Sequence, residues 1–172
     1  MMLRTGLDLV LRRAVADEYA AIGELTVAAY RADGFLVGDE DYAATLLDVA
    51  TRDREAEVFV AVDDLGTVLG AVTVCPAGST YAELARDGEL EVRMLAVAPA
   101  ARGRGVGHRL MAEVRSLARQ RGMTRVVLCS QERMQAAHRL YQRSGFTRLP
   151  ARDFSEAGIS LLSFSLELAS GE

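Results

Sequence analysis

Gly103, Gly105 and Gly107 alternate along the chain, with Arg102 and Arg104 among them. Alternate glycines keep side chains off the backbone, so successive N–H groups can point one way and surround a phosphate. Val106, Leu110, Val114, Leu117 and Ala118 follow at helical spacing. A helix N-terminus therefore adjoins the turn, and its N–H groups and dipole favour an anion. These residue types suit a ligand that carries phosphates. A dinucleotide loop needs G-x-G-x-x-G. Counted from Gly103 its last position is His108, and counting from Gly105 fails as well. A Walker loop needs Gly-Lys before Ser or Thr, and the chain has no lysine. What fits is Arg-x-x-Gly-x-Gly at Arg102, Gly105 and Gly107.

The elements that must position this turn can be read around it. Val92 to Val97 is rich in large apolar side chains and reads as a strand, which Pro99 ends for want of an N–H. Upstream, Leu7 to Leu11 reads as a short first strand. Asp17 is a plausible N-cap for a helix with Tyr19, Ile22, Leu25 and Ala29 on one face. Asp39 or Asp41 can start a second helix, with Tyr42, Leu46 and Val49 inward. Val58 to Val62 and Thr67 to Cys75 flank the turn Asp63-Asp64-Leu65-Gly66 and read as a hairpin. Residues 76–88 read as a loop. Downstream, the helix after the glycine turn runs to about Arg121 and Gly122 stops it. Arg125 to Cys129 is a short buried strand, and Arg133 to Ser144 a helix closed by Gly145. Phe146 to Leu149 starts a strand, Ala151 to Gly158 is a polar loop, and Ile159 to Leu168 is a final strand. Strand–helix–strand order near residues 90–129 implies parallel pairing there, and the hairpins imply antiparallel pairing elsewhere. The expected class is α/β (α+β), a mixed sheet covered by helices.

Composition bounds the rest. At 172 residues, half of them apolar, a single domain over 1–172 is expected. No run of about 20 apolar residues predicts a membrane span. Arg12 and Arg13 follow too short an apolar run for a signal peptide. A cytoplasmic protein is the expectation. Cys75 and Cys129 fall in expected strands with no metal spacing, and His108 and His138 lack ligand spacing too. No metal is implied. All 20 basic residues are arginine, asparagine is absent, and only two isoleucines occur. That pattern points to a bacterial source with a GC-rich genome. The net charge of −4 hides an asymmetry: Arg93 to Arg152 carries 13 Arg and two acids. Nucleic-acid binding is one reading, but the chain is acidic overall and no aromatics interleave with the arginines. A small polyanionic cofactor fits better. Arg115, Arg119 and Arg139 read as exposed helix faces.

Here the chain resembles the GNAT superfamily of acetyl-CoA-dependent N-acetyltransferases. Leu95-Ala96-Val97-Ala98-Pro99 followed by Arg102-Gly103-Arg104-Gly105-Val106-Gly107 looks like the family's acyl-CoA pyrophosphate loop and the strand before it. Ala137-His138-Arg139-Leu140-Tyr141-Gln142-Arg143-Ser144-Gly145-Phe146 looks like its late helix, A-x-x-L-Y-x-x-x-G-F, about 35 residues further on. The likeness covers Glu91 to Phe146 by motif and the rest by element order. It implies a mostly antiparallel sheet of about six to seven strands flanked by about four helices. It implies that the backbone of Leu95, Ala96 and Val97 holds the pantetheine arm, with one N–H for the oxyanion. Gly103 to His108 would donate N–H groups to the pyrophosphate, with Arg102 and Arg104 adding charge. Tyr141 resembles the tyrosine that protonates the departing thiolate. Glu91, 11 residues before Arg102, stands where several members carry a general base, with Glu89 a poorer candidate on the same face. Many relatives carry Asn where this chain has Met134, so Ser130 or Gln131 would have to replace that contact.

The resemblance implies transfer of an acyl group, most simply acetyl, to a small-molecule or peptide amine. Attack would be direct, within a ternary complex, since Cys129 has no His partner for a covalent route. The alternative is an acyl-CoA-binding sensor without turnover. Neither a nucleic acid nor a membrane is an expected partner. Many relatives form homodimers, and nothing in the sequence shows one. In the family the acceptor pocket is built by the first two helices and the last loop. Here those segments hold Asp33, Asp39, Glu40, Asp41, Asp153 and Glu156, an acidic mouth suited to a cationic amine.

Overall fold

The computed structural model describes residues 8–169. Leu7, the start of the expected first strand, lies outside the described residues, and strand β1 runs Val10–Arg13. A 3-10 turn at Ala16–Glu18 leads into α1, Tyr19–Ala32. Glu18, not the expected Asp17, stands at the N-cap position; its carboxylate makes no cap bond to α1 and accepts instead from Val15 N at 3.1 Å and from Arg12. The next helix is interrupted. α2 covers Glu40–Leu47 and α3 covers Val49–Glu55, because Asp48 turns out of the helix and its side chain accepts from Thr51 N at 3.3 Å. Val49 therefore opens α3 instead of lining α2. Strands β2, Glu57–Val62, and β3, Val68–Pro76, form the expected hairpin. Asp63 Oδ1 accepts from Leu65 N and Thr67 N, and Gly66 supplies the left-handed residue of the turn at φ 78°.

Strand β4 is Glu89–Val97, followed by a 3-10 turn at Pro99–Ala101 and α4, Val106–Gln120. Then come β5, Arg125–Gln131, and α5, Gln135–Arg143. The last three strands are β6, Thr147–Arg148, β7, Phe154–Glu156, and β8, Ile159–Glu167. Among the described residues there are thus eight strands and five α-helices, one of each more than expected. Asp48 supplies the extra helix. The extra strand is β7, in a segment expected to be loop. Ala157 at φ 50° and Gly158 at φ 78° make a two-residue turn with both central residues left-handed, which closes β7 onto β8.

The sheet is mixed and mostly antiparallel, in the order β1-β2-β3-β4-β5-β8-β6, with β7 on β8. The β4–β5 pair is parallel, and β8 runs antiparallel to β5 over seven residue pairs from Arg125↔Glu167 to Gln131↔Leu161. Among the described residues no helix is long and apolar enough to cross a membrane.

The chain forms two compact units. One is the chain up to Thr73 together with Met94–Leu110; the other is Val74–Arg93 with the chain from Met111 onward. In the first, Ala14, Ile22, Val49, Val58, Val60, Val62 and Ala71 form one buried cluster, and Leu25, Ala29 and Ala96 another. Arg52 is wholly buried here. Its guanidinium donates to Thr73 Oγ1 at 2.9 Å and to the Leu46 carbonyl at 2.8 Å. In the second unit, Tyr141 lies against Phe146 and Phe164, with ring centroids 6.0 and 5.8 Å away. Glu89 is buried beneath a bidentate clasp from Arg152 at 2.6 and 2.7 Å, with Arg125 at 3.5 Å. Arg115, expected on an open helix face, is half-buried, while Arg119 and Arg139 are exposed.

Candidate active site

Two groups of residues carry the chemistry, each within one unit. The first is the end of β4 and the turn behind it. Val92, Met94 and Ala96 are buried, while Leu95 and Val97 are half-exposed. The ladder to β5 ends at Glu91↔Val127. Met94 stands at φ 55°, a left-handed conformation that costs a non-glycine residue roughly 1–2 kcal/mol. Such a residue bends a strand as a bulge does. On its other edge β4 pairs with β3, and Ala98 N donates to the Leu69 carbonyl at 2.8 Å. The edge of Leu95–Val97 opposite β3 thus lies outside the β5 ladder, as an added extended ligand would require.

Gly103 and Gly105 take φ 76° and 80°, and nothing lies within 4 Å of where a Cβ would stand. Backbone handedness, not crowding, requires glycine at both. The first helical bond of α4 runs from Arg109 N to the Gly105 carbonyl at 3.0 Å. The N–H groups of Val106 and Gly107 are therefore left without an intrahelical acceptor. His108 follows on the same turn, exposed, as is Arg104. This cradle fits a polyphosphate: backbone donors, a helix N-terminus, the exposed cation of Arg104 and no side chain within 4 Å of either left-handed glycine's missing Cβ. Arg102 is engaged differently from the expectation of a phosphate ligand. Its guanidinium takes both oxygens of Asp33 at 2.9 Å and donates to the Ala29 carbonyl at 3.2 Å.

The cradle is seated through Gly70. A Cβ there would lie 2.8 Å from Val106 Cγ1, 3.0 Å from Leu110 Cδ1 and 3.1 Å from the Ala96 carbonyl oxygen. The first turn of α4 thus rests on bare strand backbone. Gly70→Ala is expected to push that turn outward and cost about 1–3 kcal/mol of stability, read by urea unfolding.

The second group surrounds Glu91 and Tyr141. Glu91 has no exposed surface. One carboxylate oxygen accepts from Leu84 N and from Ala85 N at 3.1 Å, the other from Glu83 N at 2.8 Å. Burial pushes its pKa up, against the pull of those three N–H groups. Arg93, two residues on, donates to the Tyr81 carbonyl at 3.1 Å and pairs with Glu83 at 3.2 Å. Glu83 Oε2 in turn lies 4.0 Å from Cys129 Sγ. Burial, then the charges of Glu83 and Glu91, push the Cys129 thiol up to about 12. Tyr141 is 8% exposed, and its hydroxyl makes no hydrogen bond among the described residues. Burial, then Cys129, pushes its pKa up. The phenol therefore keeps its proton across the neutral range.

Other expected contacts resolve as structure. Glu89 is consumed by Arg152 and Arg125; burial alone would push its pKa up, but these partners hold it below the ordinary value. Ser130 Oγ donates to Met134 Sδ at 3.6 Å, and Gln131 Oε1 accepts from Arg133. Of the expected acidic mouth, Asp33 is paired with Arg102, Glu40 with Arg31 and Asp153 with Arg148; Asp39, Asp41 and Glu156 are exposed. Glu83 went unread in the sequence. A single acid in an irregular loop carries no periodic or motif signal.

The Acetyltransferase (GNAT) family model matches residues 19–146. No curated protein matches the sequence. Among solved structures, a GNAT-family acetyltransferase from Staphylococcus aureus Mu50 is 12% identical with a TM-score of 0.72, over 94% of this chain and 100% of that one. The PaiA N-acetyltransferase of Thermoplasma acidophilum, solved with coenzyme A, is 14% identical with a TM-score of 0.70, over 94% and 100%. A ribosomal-protein-alanine N-acetyltransferase from Brucella melitensis is 22% identical with a TM-score of 0.66, over 92% and 99%. These likenesses bear on the fold, and the family match spans most of the sequence. A glycine cradle behind a bent strand and a buried tyrosine on the late helix agree with it: the chain belongs to the GNAT acetyltransferase family.

Proposed function

We propose that the protein moves an acetyl group from acetyl-CoA to a primary amine by direct attack within a ternary complex. The observation that carries this reading is Tyr141, a residue only 8% exposed whose hydroxyl has no hydrogen-bond partner among the described residues and so has its proton to give. Acetyl-CoA would supply the activated acyl group. The N–H groups of the turn from Gly103 to His108 would hold its pyrophosphate, with Arg104 adjacent and Arg102 near the turn. The Leu95, Ala96 and Val97 backbone would hold the pantetheine arm and offer an N–H to the oxyanion. Tyr141 donates a proton to the departing sulfur. The same burial that holds the Tyr141 proton also raises the proton affinity of a thiolate formed beside it. Glu91 and its neighbour Glu83 are the carboxylates on the acceptor side. The Cys129 thiol, held protonated, is a poor nucleophile, which supports direct attack over a covalent route.

The test is thiol release from acetyl-CoA with polyamines, aminoglycosides and peptide α-amines. Acceleration by at least one amine is expected. Coenzyme A binding without acceleration by any would favour a non-catalytic binding module. Gly105→Ala forces a Cβ into left-handed backbone, at roughly 1–2 kcal/mol. It should weaken coenzyme A binding by about 10-fold in calorimetry.

A further inference from the structure

We infer that Glu83, not Glu91, is the carboxylate that receives the acceptor ammonium, and that Glu91 is a positioning residue that holds the Glu83 loop in place. This rests on the acyl-transfer reading above. The two carboxylates differ in what their oxygens can still do. Glu91 is wholly buried, and both its oxygens already accept backbone N–H groups, those of Glu83, Leu84 and Ala85. Three donors fix a carboxylate in place and leave little room for a substrate. The side chain of Glu83 is one-third exposed. Its Oε1 sits 3.2 Å from Arg93, and its Oε2 faces Cys129 Sγ at 4.0 Å.

Cys129 in turn stands beside Tyr141, close enough to bear on its ionisation. Cys129 thus relates the Glu83 carboxylate, 4.0 Å from its sulfur, to the tyrosine assigned as the acid. Two residues on one face of β4 hold the loop: Glu91 takes its N–H groups, and Arg93 takes the Tyr81 carbonyl and the Glu83 carboxylate. The clamp presents one carboxylate outward at the edge of the site. A charge-assisted hydrogen bond to an ammonium is the interaction such a group makes best.

The proton balance closes on these residues. The acceptor arrives as an ammonium, and Glu83 takes one of its protons. Attack of the nitrogen lone pair on the acyl carbon breaks the carbon–sulfur bond. Tyr141 gives its proton to sulfur and regains one from the nitrogen, which keeps its third in the amide. Glu83 releases its proton to water, so one proton leaves per turnover.

The experiment compares wild type, Glu83→Gln, Glu91→Gln and the double variant. It reads steady-state thiol release with the amine panel, calorimetric coenzyme A binding, and amide hydrogen exchange at residues 83–85. Glu83→Gln should lower kcat/KM for amines by about 100-fold, with coenzyme A affinity and exchange unchanged. Glu91→Gln should speed exchange at those three amides and lower kcat/KM. In the Glu83→Gln background it should lower kcat/KM little further, since it acts through Glu83. Wild-type activity that survives Glu83→Gln with every accepted amine overturns the assignment of Glu83 alone. So does a full, additive loss from Glu91→Gln. A wild type that binds coenzyme A but is silent toward every amine overturns the acyl-transfer reading, and the role of Glu83 with it.

Discussion

Tyr141→Phe is expected to lower kcat for thiol release by about 10²–10⁴-fold, the range of a lost general acid. Coenzyme A affinity and folding should be unchanged. The clean split follows from geometry. The ring packs on Phe146 and Phe164, and phenylalanine keeps that packing. The hydroxyl has no hydrogen-bond partner among the described residues, so removing it orphans nothing. A stability change above about 0.5 kcal/mol would mean that the hydroxyl has a structural role. An unchanged rate with every accepted amine would remove Tyr141 as the acid.

Arg152→Met should have the largest effect on stability, a loss of about 3 kcal/mol in chemical unfolding. Side-chain exposures of 10% for Arg152 and 7% for Glu89 make this a buried pair, and the substitution strands the carboxylate. Arg125 at 3.5 Å keeps the loss toward the low end. The pH dependence gives a second reading. Glu89 titrates below its ordinary value in the folded chain. Its contribution is therefore complete above the unfolded carboxylate pKa, and is lost as pH falls through the folded one. Wild type should lose stability more steeply than Arg152→Met through that acid window. Parallel curves would show that the clasp is not the source.

The elements that proved legible were those fixed by local backbone demands. Gly103 and Gly105 announce themselves because left-handed residues ahead of a helix need glycine. Gly145 does the same behind α5, at φ 94°. The β2–β3 hairpin was readable from Asp63 and Gly66. What stayed hidden depends on partners far along the chain. The break at Asp48 splits an otherwise continuous helical pattern. β7 exists because β8 is there to pair with it, and three residues, Phe154, Ser155 and Glu156, carry too little alternation to declare a strand. Arg52 carries no signal of burial in the sequence, yet it is buried, because Thr73 and the Leu46 carbonyl meet it inside. In the candidate site, Tyr141 and the cradle carried motif signals. Glu83 did not, since its place is set by the N–H groups that Glu91 gathers.

The pairing of Arg102 with Asp33 has a further consequence. Both side chains are about two-fifths exposed, at 43% and 40%, and an ion pair that open to water is worth at most about 1 kcal/mol. Asp33 is thus a cheap placeholder. It holds the Arg102 guanidinium at the end of α1 at little cost. Such a pair is screened by salt, so added salt should release the Arg102 side chain from Asp33 long before it disturbs the buried clasp on Glu89.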